Sequence, residues 1–132
     1  KRYFNYIVVH SEDQKTILQQ RTEKGIWQQL YEFPLIETEK EINYSHLKEL
    51  QEYRTLSDVW NIQSLFLYND ISIVHKLSHQ HFYTRFWIAE VAQLPGGVFK
   101  TKQKKIPVAK VHGYAVPILI ENFISDFPGF KI

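Results

Sequence analysis

The order of apolar and polar positions predicts a run of strands, a helix within it and a second helix at the end. Arg2 to His10 (RYFNYIVVH) is dense in aromatic and β-branched residues and reads as a strand. Ser11-Glu12-Asp13-Gln14 reads as a turn, and Lys15 to Arg21 (KTILQQR) as a strand returning from it, so the two are expected to form a hairpin. Lys24-Gly25 breaks that strand. Trp27 to Pro34 should lead through a bulge into a short strand, which Pro34 restricts to an edge or an end. Ser45 is placed to cap a modest amphipathic helix over His46 to Tyr53, with Leu47 and Leu50 on one face. The pattern over residues 55–64 is ambiguous. Ile71 to Leu77 (ISIVHKL) predicts another strand. Phe82 to Ala92 (FYTRFWIAEVA) is apolar on both faces and predicts a long central strand. Leu94-Pro95-Gly96-Gly97 is a turn. Val116, Leu119, Ile120, Phe123, Ile124 and Phe127 recur at helical spacing behind Pro117, which suits the first turn of a helix. Strands first, one helix within and one at the end give an α+β class with a mixed sheet.

Composition narrows the chemistry. At 132 residues the chain is the size of one domain, with neither repeat nor linker to divide it. It has no cysteine, which excludes disulfides, iron–sulfur ligation and thiolate zinc within it. No apolar run approaches the ~20 residues of a membrane span, and no signal-peptide pattern opens the chain. It holds no methionine and opens directly into a strand-like run, so it is expected to be an excised piece of something longer. A net charge of +2 is too small to announce a nucleic-acid binder. The distribution says more. Glu32, Glu37, Glu39, Glu41, Glu49 and Glu52 cluster within residues 32–52, and Lys100, Lys102, Lys104, Lys105 and Lys110 form a run without an acid. The lysines read either as a solvated loop or as a phosphate-facing patch. The acids read as a solvated segment, because Pro34 and the missing helical period spoil them as magnesium ligands.

Three of the six histidines crowd into His75 to His81 (HKLSHQH), at the junction of two predicted strands. His75, His79 and His81 could hold zinc in principle, but no carboxylate lies near them and a strand–loop–strand path need not converge the rings. Ser78 and His79 are adjacent, which rarely lets one aim at the other, and no glycine flanks Ser78 as a nucleophile turn would require. There is no phosphate-cradling glycine motif. What remains is a loop that recognises a ligand by hydrogen bonds, with Ser78 supplying a donor and acceptors.

Three segments narrow this further. Arg21-Thr22-Glu23-Lys24-Gly25-Ile26-Trp27 through Leu30-Tyr31-Glu32-Phe33-Pro34 resembles the "KG-aliphatic-W…L-W-EFP" segment in the C-terminal domain of adenine DNA glycosylases, the MutY family. His75-Lys76-Leu77-Ser78-His79 resembles that family's H-x-F-[ST]-H loop, and Gly113-Tyr114-Ala115-Val116-Pro117 its Y-A-[LV]-P ending. The three occur in the family's order, and the similarity spans roughly residues 3–127. The resemblance implies a Nudix-like fold related to MutT, a mixed sheet packed between helices, as a single domain over residues 1–132. The Nudix hydrolase signature demands an REUxEE helix whose glutamates bind magnesium. Here Glu32 is followed by Phe33-Pro34-Leu35-Ile36, so the catalytic motif is lacking.

By the same resemblance the domain has no catalytic residue and no metal. It would read 8-oxoguanine in 8-oxoguanine:adenine mispairs of double-stranded DNA, while a separate N-terminal catalytic domain, carrying a 4Fe-4S cluster, excises the adenine. Ser78 matches the position that contacts the oxidised base, and Leu77 and His79 match its neighbours. Leu77 stands where phenylalanine is common, which weakens any wedge. Tyr31, Gln28 and Gln29 also depart from the family, at positions expected to pack the fold. His79, Lys76, Lys100, Lys102, Lys104 and Lys105 are the candidate DNA-backbone contacts. His75 and His81 are left as strand-end residues. The parent protein is expected in the bacterial cytoplasm, at the nucleoid, without a membrane. Two rivals stand beside this reading: a Nudix-type nucleoside diphosphate hydrolase with degenerate ligands, and a protein-binding Nudix-like module, perhaps for a replication clamp.

Overall fold

The computed structural model describes residues 1–96 and 102–131. Its eight strands are β1 (Arg2–Ser11), β2 (Lys15–Gln20), β3 (Tyr31–Glu32), β4 (Leu35–Thr38), β5 (Ser64–Leu67), β6 (Ile73–Lys76), β7 (His81–Val91) and β8 (Gln103–Pro107). Its helices are α1 (Tyr44–Glu49), α2 (Gln51–Trp60) and α3 (Ile118–Asp126), with 3-10 turns at Val108–Gly113 and Pro128–Phe130. The class is α+β, as the pattern predicts.

The expected hairpin of the first two strands does not form. β1 is apolar on both faces, so both of its edges must be paired within a sheet. It runs parallel to β7 on one side and antiparallel to β4 on the other. β2 therefore leaves for a second, three-stranded sheet in the order β3-β2-β8. The turn between them closes through the Ser11 hydroxyl, which accepts from the Lys15 N–H at 2.9 Å, and through Gln14 in the left-handed region (φ 60°). The large sheet has the order β4-β1-β7-β5, with β6 also on β7.

Alternation along β1 and β7 builds two cores. Phe4, Tyr6 and Val8, with Phe82, Phe86 and Ile88, face α3 and the small sheet. Ile7 and Val9, with Trp87, Ala89 and Val91, face α1 and α2 through Leu47, Tyr53, Leu56 and Trp60. The sheet is thus packed between helices, which answers the two-sided apolarity of its strands. α3 carries the predicted stripe and begins one residue beyond Pro117. Its Phe123 stacks on Phe86 with centroids 4.2 Å apart and on Phe127 at 5.2 Å.

The first helical region differs from expectation in cap and length. Asn43, not Ser45, is the N-cap, its side-chain oxygen accepting from the His46 N–H at 2.8 Å. Leu50 is extended (ψ 135°) and separates α1 from α2. α2 then runs on through the ambiguous stretch to Trp60. β5 and β8 were not legible in the pattern. β8 carries part of the lysine run, which is therefore a paired edge strand along β2, from Gln103↔Gln19 to Pro107↔Lys15.

β7 has two short partners on one edge: β5 covers Trp87 to Glu90 and β6 covers His81 to Thr84. Asn69 bridges the gap. Its Oδ1 accepts from the Phe86 N–H (2.8 Å), and its Nδ2 donates to the carbonyls of Thr84 and Ile71 (3.0 Å each). The side chain stands in for a missing ladder residue between β5 and β6. Asn69→Ala is expected to lower the unfolding free energy in urea by about 1–3 kcal/mol. A loss below about 0.5 kcal/mol would mean that the backbone alone holds the gap.

Candidate nucleic-acid interface

The stretch that drew attention in the sequence is the hairpin joining β6 to β7. Lys76 pairs with His81 across its base, and the Leu77 N–H donates to the Gln80 carbonyl at 2.8 Å. Ser78 and His79 form the exposed tip, and Leu77 beside them is 39% exposed. Register decides what the histidines can do. His75 lies opposite Phe82, and Lys76 opposite His81. Cross-strand partners share a face and successive residues do not, so His75 and His81 project from opposite faces, with His79 at the tip. The three do not converge. Among the described residues no group of three histidine, aspartate or glutamate side chains is placed to hold a metal.

His75 has a neighbour that the sequence did not reveal. Its ring lies 5.4 Å from that of Trp27, which also packs on Phe82 (5.9 Å) and Phe4 (6.1 Å). Trp27 sits in a tightly wound loop with three residues at positive φ: Gly25 (135°), Trp27 (56°) and Gln29 (72°). Glycine suits the first of these, because a side chain there would be strained. The loop is closed by the Arg21 N–H donating to Leu30 O (2.9 Å) and the Leu30 N–H to Trp27 O (3.0 Å). Gln28 and Gln29 are exposed and do not pack the fold, contrary to expectation. Tyr31 does pack. Its N–H donates to the Ala115 carbonyl at 2.7 Å, and its ring meets Tyr114 edge-on at 4.9 Å. Of the three segments singled out in the sequence, 21–34 thus touches both of the others in the fold.

The lysine run does not form one patch. Lys100 lies outside the described residues. Lys104 and Lys105 are successive residues of β8 and point to opposite faces; the Lys104 ammonium sits over the rings of Tyr31 (5.5 Å) and Tyr114 (5.8 Å). The Lys102 ammonium donates to the Thr22 hydroxyl. Lys76, Lys102, Lys104 and Lys105 are all exposed.

The acidic segment also divides. Glu39, Glu41, Glu49 and Glu52 are exposed, but Glu32 is buried, contrary to the solvated reading. Its carboxylate accepts from the Tyr6 hydroxyl (2.9 Å), the Arg21 guanidinium (3.0 Å) and the Gln19 amide (3.2 Å). Burial, and then the Glu32 charge, raise the Tyr6 phenol well above its usual range, so it stays a neutral donor. Arg21 and Glu32 line a cleft of about 370 Å³ together with Arg2, Glu37 and Lys102. There Arg2 grips Glu37 with two bonds of 2.8 Å. The charges of this cleft are largely spent on one another. A helical segment does follow the acidic stretch, as α1 and α2, but its Glu49 and Glu52 point to solvent rather than joining Glu32.

The Arg2 hydrogen bond holds the Glu37 carboxyl below the usual carboxylate range. A group with a lowered folded value contributes stability above its unfolded value and loses it as pH falls through the folded one. The urea midpoint of the wild-type chain should therefore exceed that of Glu37→Gln above the ordinary glutamate value of ~4.3, and the gap should close as pH falls below it through the lowered folded value. A gap independent of pH would show that the pair contributes nothing through its charge.

Comparison with known proteins agrees with this architecture. The NUDIX domain family matches residues 5–126. No curated protein matches the sequence. Among solved structures, the C-terminal domain of mouse MUTYH, in its complex with human PCNA, superposes with a TM-score of 0.70 at 17% identity, covering 95% of this chain and 86% of that one. The Bacillus halodurans MutT protein gives 0.63 at 12%, covering 95% and 80%. The C. elegans Ap4A hydrolase gives 0.59 at 11%, covering 98% and 96%. At these identities the likeness is one of fold. With the family matched over nearly its whole length, the chain belongs to the NUDIX domain family.

Proposed function

We propose that this chain is a DNA-repair recognition domain that reads 8-oxoguanine opposite adenine in a duplex. It would serve an adenine DNA glycosylase whose separate N-terminal domain, with its 4Fe-4S cluster, removes the base. The observation that carries the reading is that segment 21–34 packs on both other family-like segments, on 75–79 of the exposed serine hairpin through Trp27 and on 113–117 through Tyr31. The fold likeness to the mouse MUTYH domain supports it. So does the contrast between the spent charges of the cleft and the open tip at Ser78.

The chemistry is that of one base edge. Guanine N7 is an acceptor. In 8-oxoguanine N7 carries a proton and C8 a carbonyl oxygen. The Ser78 hydroxyl can accept from that N7–H, and a hydroxyl or backbone N–H of the tip can donate to the new oxygen. Leu77 sits beside it as a small apolar contact. His79 at the tip and Lys76 at the hairpin base would meet phosphates, which position the protein without reading sequence. Lys102, Lys104 and Lys105 are the remaining backbone candidates among the described residues.

Protein docking is the second reading. Ile71, Ile73 and Val74 are exposed on and before the edge strand β6, and the mouse MUTYH domain was crystallised with PCNA. It requires a protein partner whose capture is independent of DNA.

Ser78→Ala is expected to lower the preference for 8-oxoguanine:adenine over guanine:adenine duplexes by about 1–3 kcal/mol, as one base contact would. Equal preference in wild type and variant, measured by duplex titration, would remove Ser78 as the reader. Neutralising Lys104 and Lys105 together should reduce the slope of log affinity against log salt by about 0.9 for each lysine that meets a phosphate. An unchanged slope would return both to the role of edge-strand charges that block sheet-to-sheet association. Magnesium-dependent release of nucleoside monophosphate from 8-oxo-dGTP would instead favour a hydrolase.

A further inference from the structure

The hairpin that carries Ser78 stands on a narrow base. β6 is four residues long and pairs with β7 alone. Beyond that ladder, the tip is closed by the bond from the Leu77 N–H to the Gln80 carbonyl. A strand with side chains exposed on both faces has a weakly specified register, and a slip of one residue turns every side chain to the other face. Ile73 and Val74 are both exposed, so apolar burial does not pin β6. Yet a base-reading hydroxyl must keep a fixed direction, because a hydrogen bond weakens steeply with angle.

One contact on β6 reaches outside its own hairpin to a half-buried ring packed on the core. His75, two residues before Leu77, is half-buried with its ring 5.4 Å from the indole of Trp27 and 6.4 Å from Phe82. Trp27 is itself held unusually. A bulky residue rarely adopts positive φ, and such residues persist only where their surroundings over-determine them. Here Phe4 and Phe82 hold the indole, and Gly25 and Gln29 supply the left-handed turns on either side. The winding of this loop delivers the indole to His75. Since Phe4 and Phe82 belong to the buried core, the contact ties the exposed strand β6 to that core.

We propose that Trp27 and His75 are positioning residues for lesion discrimination: their ring contact sets the register and order of the Leu77–Gln80 tip, and so the aim of Ser78. The proposal rests on the reading of Ser78 as the base contact. Neither ring has to touch DNA for it to hold. His75 is an aromatic spacer here, so another flat ring should replace it.

The test uses the full chain with four variants and two readouts. The readouts are the ratio of affinities for 8-oxoguanine:adenine and guanine:adenine duplexes, and the hydrogen-exchange rate of the Leu77 amide. His75→Ala should lower the ratio about threefold to tenfold, the worth of one aromatic contact, and speed Leu77 exchange by a similar factor. Affinity for the guanine:adenine duplex should stay unchanged. His75→Phe should restore both readouts. Trp27→Leu, a milder cut from the other side of the contact, should reproduce the loss, and its combination with His75→Ala should add nothing further. The proposal is overturned if His75→Ala leaves Leu77 exchange unchanged, if phenylalanine fails to rescue, or if the two losses add in full. If the wild-type chain binds both duplexes equally, lesion reading itself fails, and the exchange arm still reports whether the two rings order the hairpin.

Discussion

Ten consecutive residue pairs, from Arg2↔Phe82 to Ser11↔Val91, join β1 and β7 in parallel, and the rest of the molecule is arranged around that ladder. Both strands are apolar on both faces, so neither can lie at a sheet edge or against water. The consequence is two cores rather than one, with α3 and the small sheet on one side and α1 and α2 on the other. β2 is expelled from the sheet that holds its sequence neighbour because β4 and β7 already occupy both edges of β1. The ladder also sets the site. Phe82, opposite Arg2 at the start of the ladder, lies one residue after the closing pair of the Ser78 hairpin. The tip is an extension of a central, largely buried strand.

Buried charge shapes the adjoining cleft. Glu32 is accommodated inside because three donors, from Tyr6, Arg21 and Gln19, meet its carboxylate. An unpaired carboxylate there would cost several kcal/mol. The same bonds engage both its oxygens, and the remaining acids of the segment face solvent elsewhere. A pair such as Arg2–Glu37 further consumes the charges that might otherwise meet a diphosphate. The molecule keeps the NUDIX framework while the polar groups of this cleft serve one another, and the groups proposed to read DNA stand outward at the β6–β7 hairpin instead.

The segments 75–79 and 113–117 lie far from 21–34 in the chain, yet both pack on it in space. Trp27 meets His75, and Tyr31 meets both Ala115 and Tyr114. Each contact supports a loop by means of a rigid element: the loop of Trp27 leans on the core, and the hairpin leans on Trp27. Rigid support from strands beneath a short exposed tip is what hydrogen-bond discrimination of a single base edge requires.

Periodicity alone determined the long strands β1 and β7, the apolar stripe of α3, the α+β class and the placement of Ser78 between two strands. These follow from local alternation or helical spacing, which every residue carries with it. The pattern also placed a helix near Leu47, but not its cap, because Ser45 and Asn43 are equally good capping residues and only the backbone path selects one. Which strands pair was decided by tertiary structure, since a central strand accepts partners from anywhere in the chain and no local signal names them. β8 was hidden because its lysines are an edge strand's solvent-facing charges and read as a loop. Glu32 read as solvated because its three donors come from β1, from β2 and from the residue that follows β2. His75 read as idle because its partner lies 48 positions earlier in the chain. Alternation is a property of neighbours in sequence, whereas burial of a charge and contact between two rings depend on neighbours in space, and only the folded sheet brings those together.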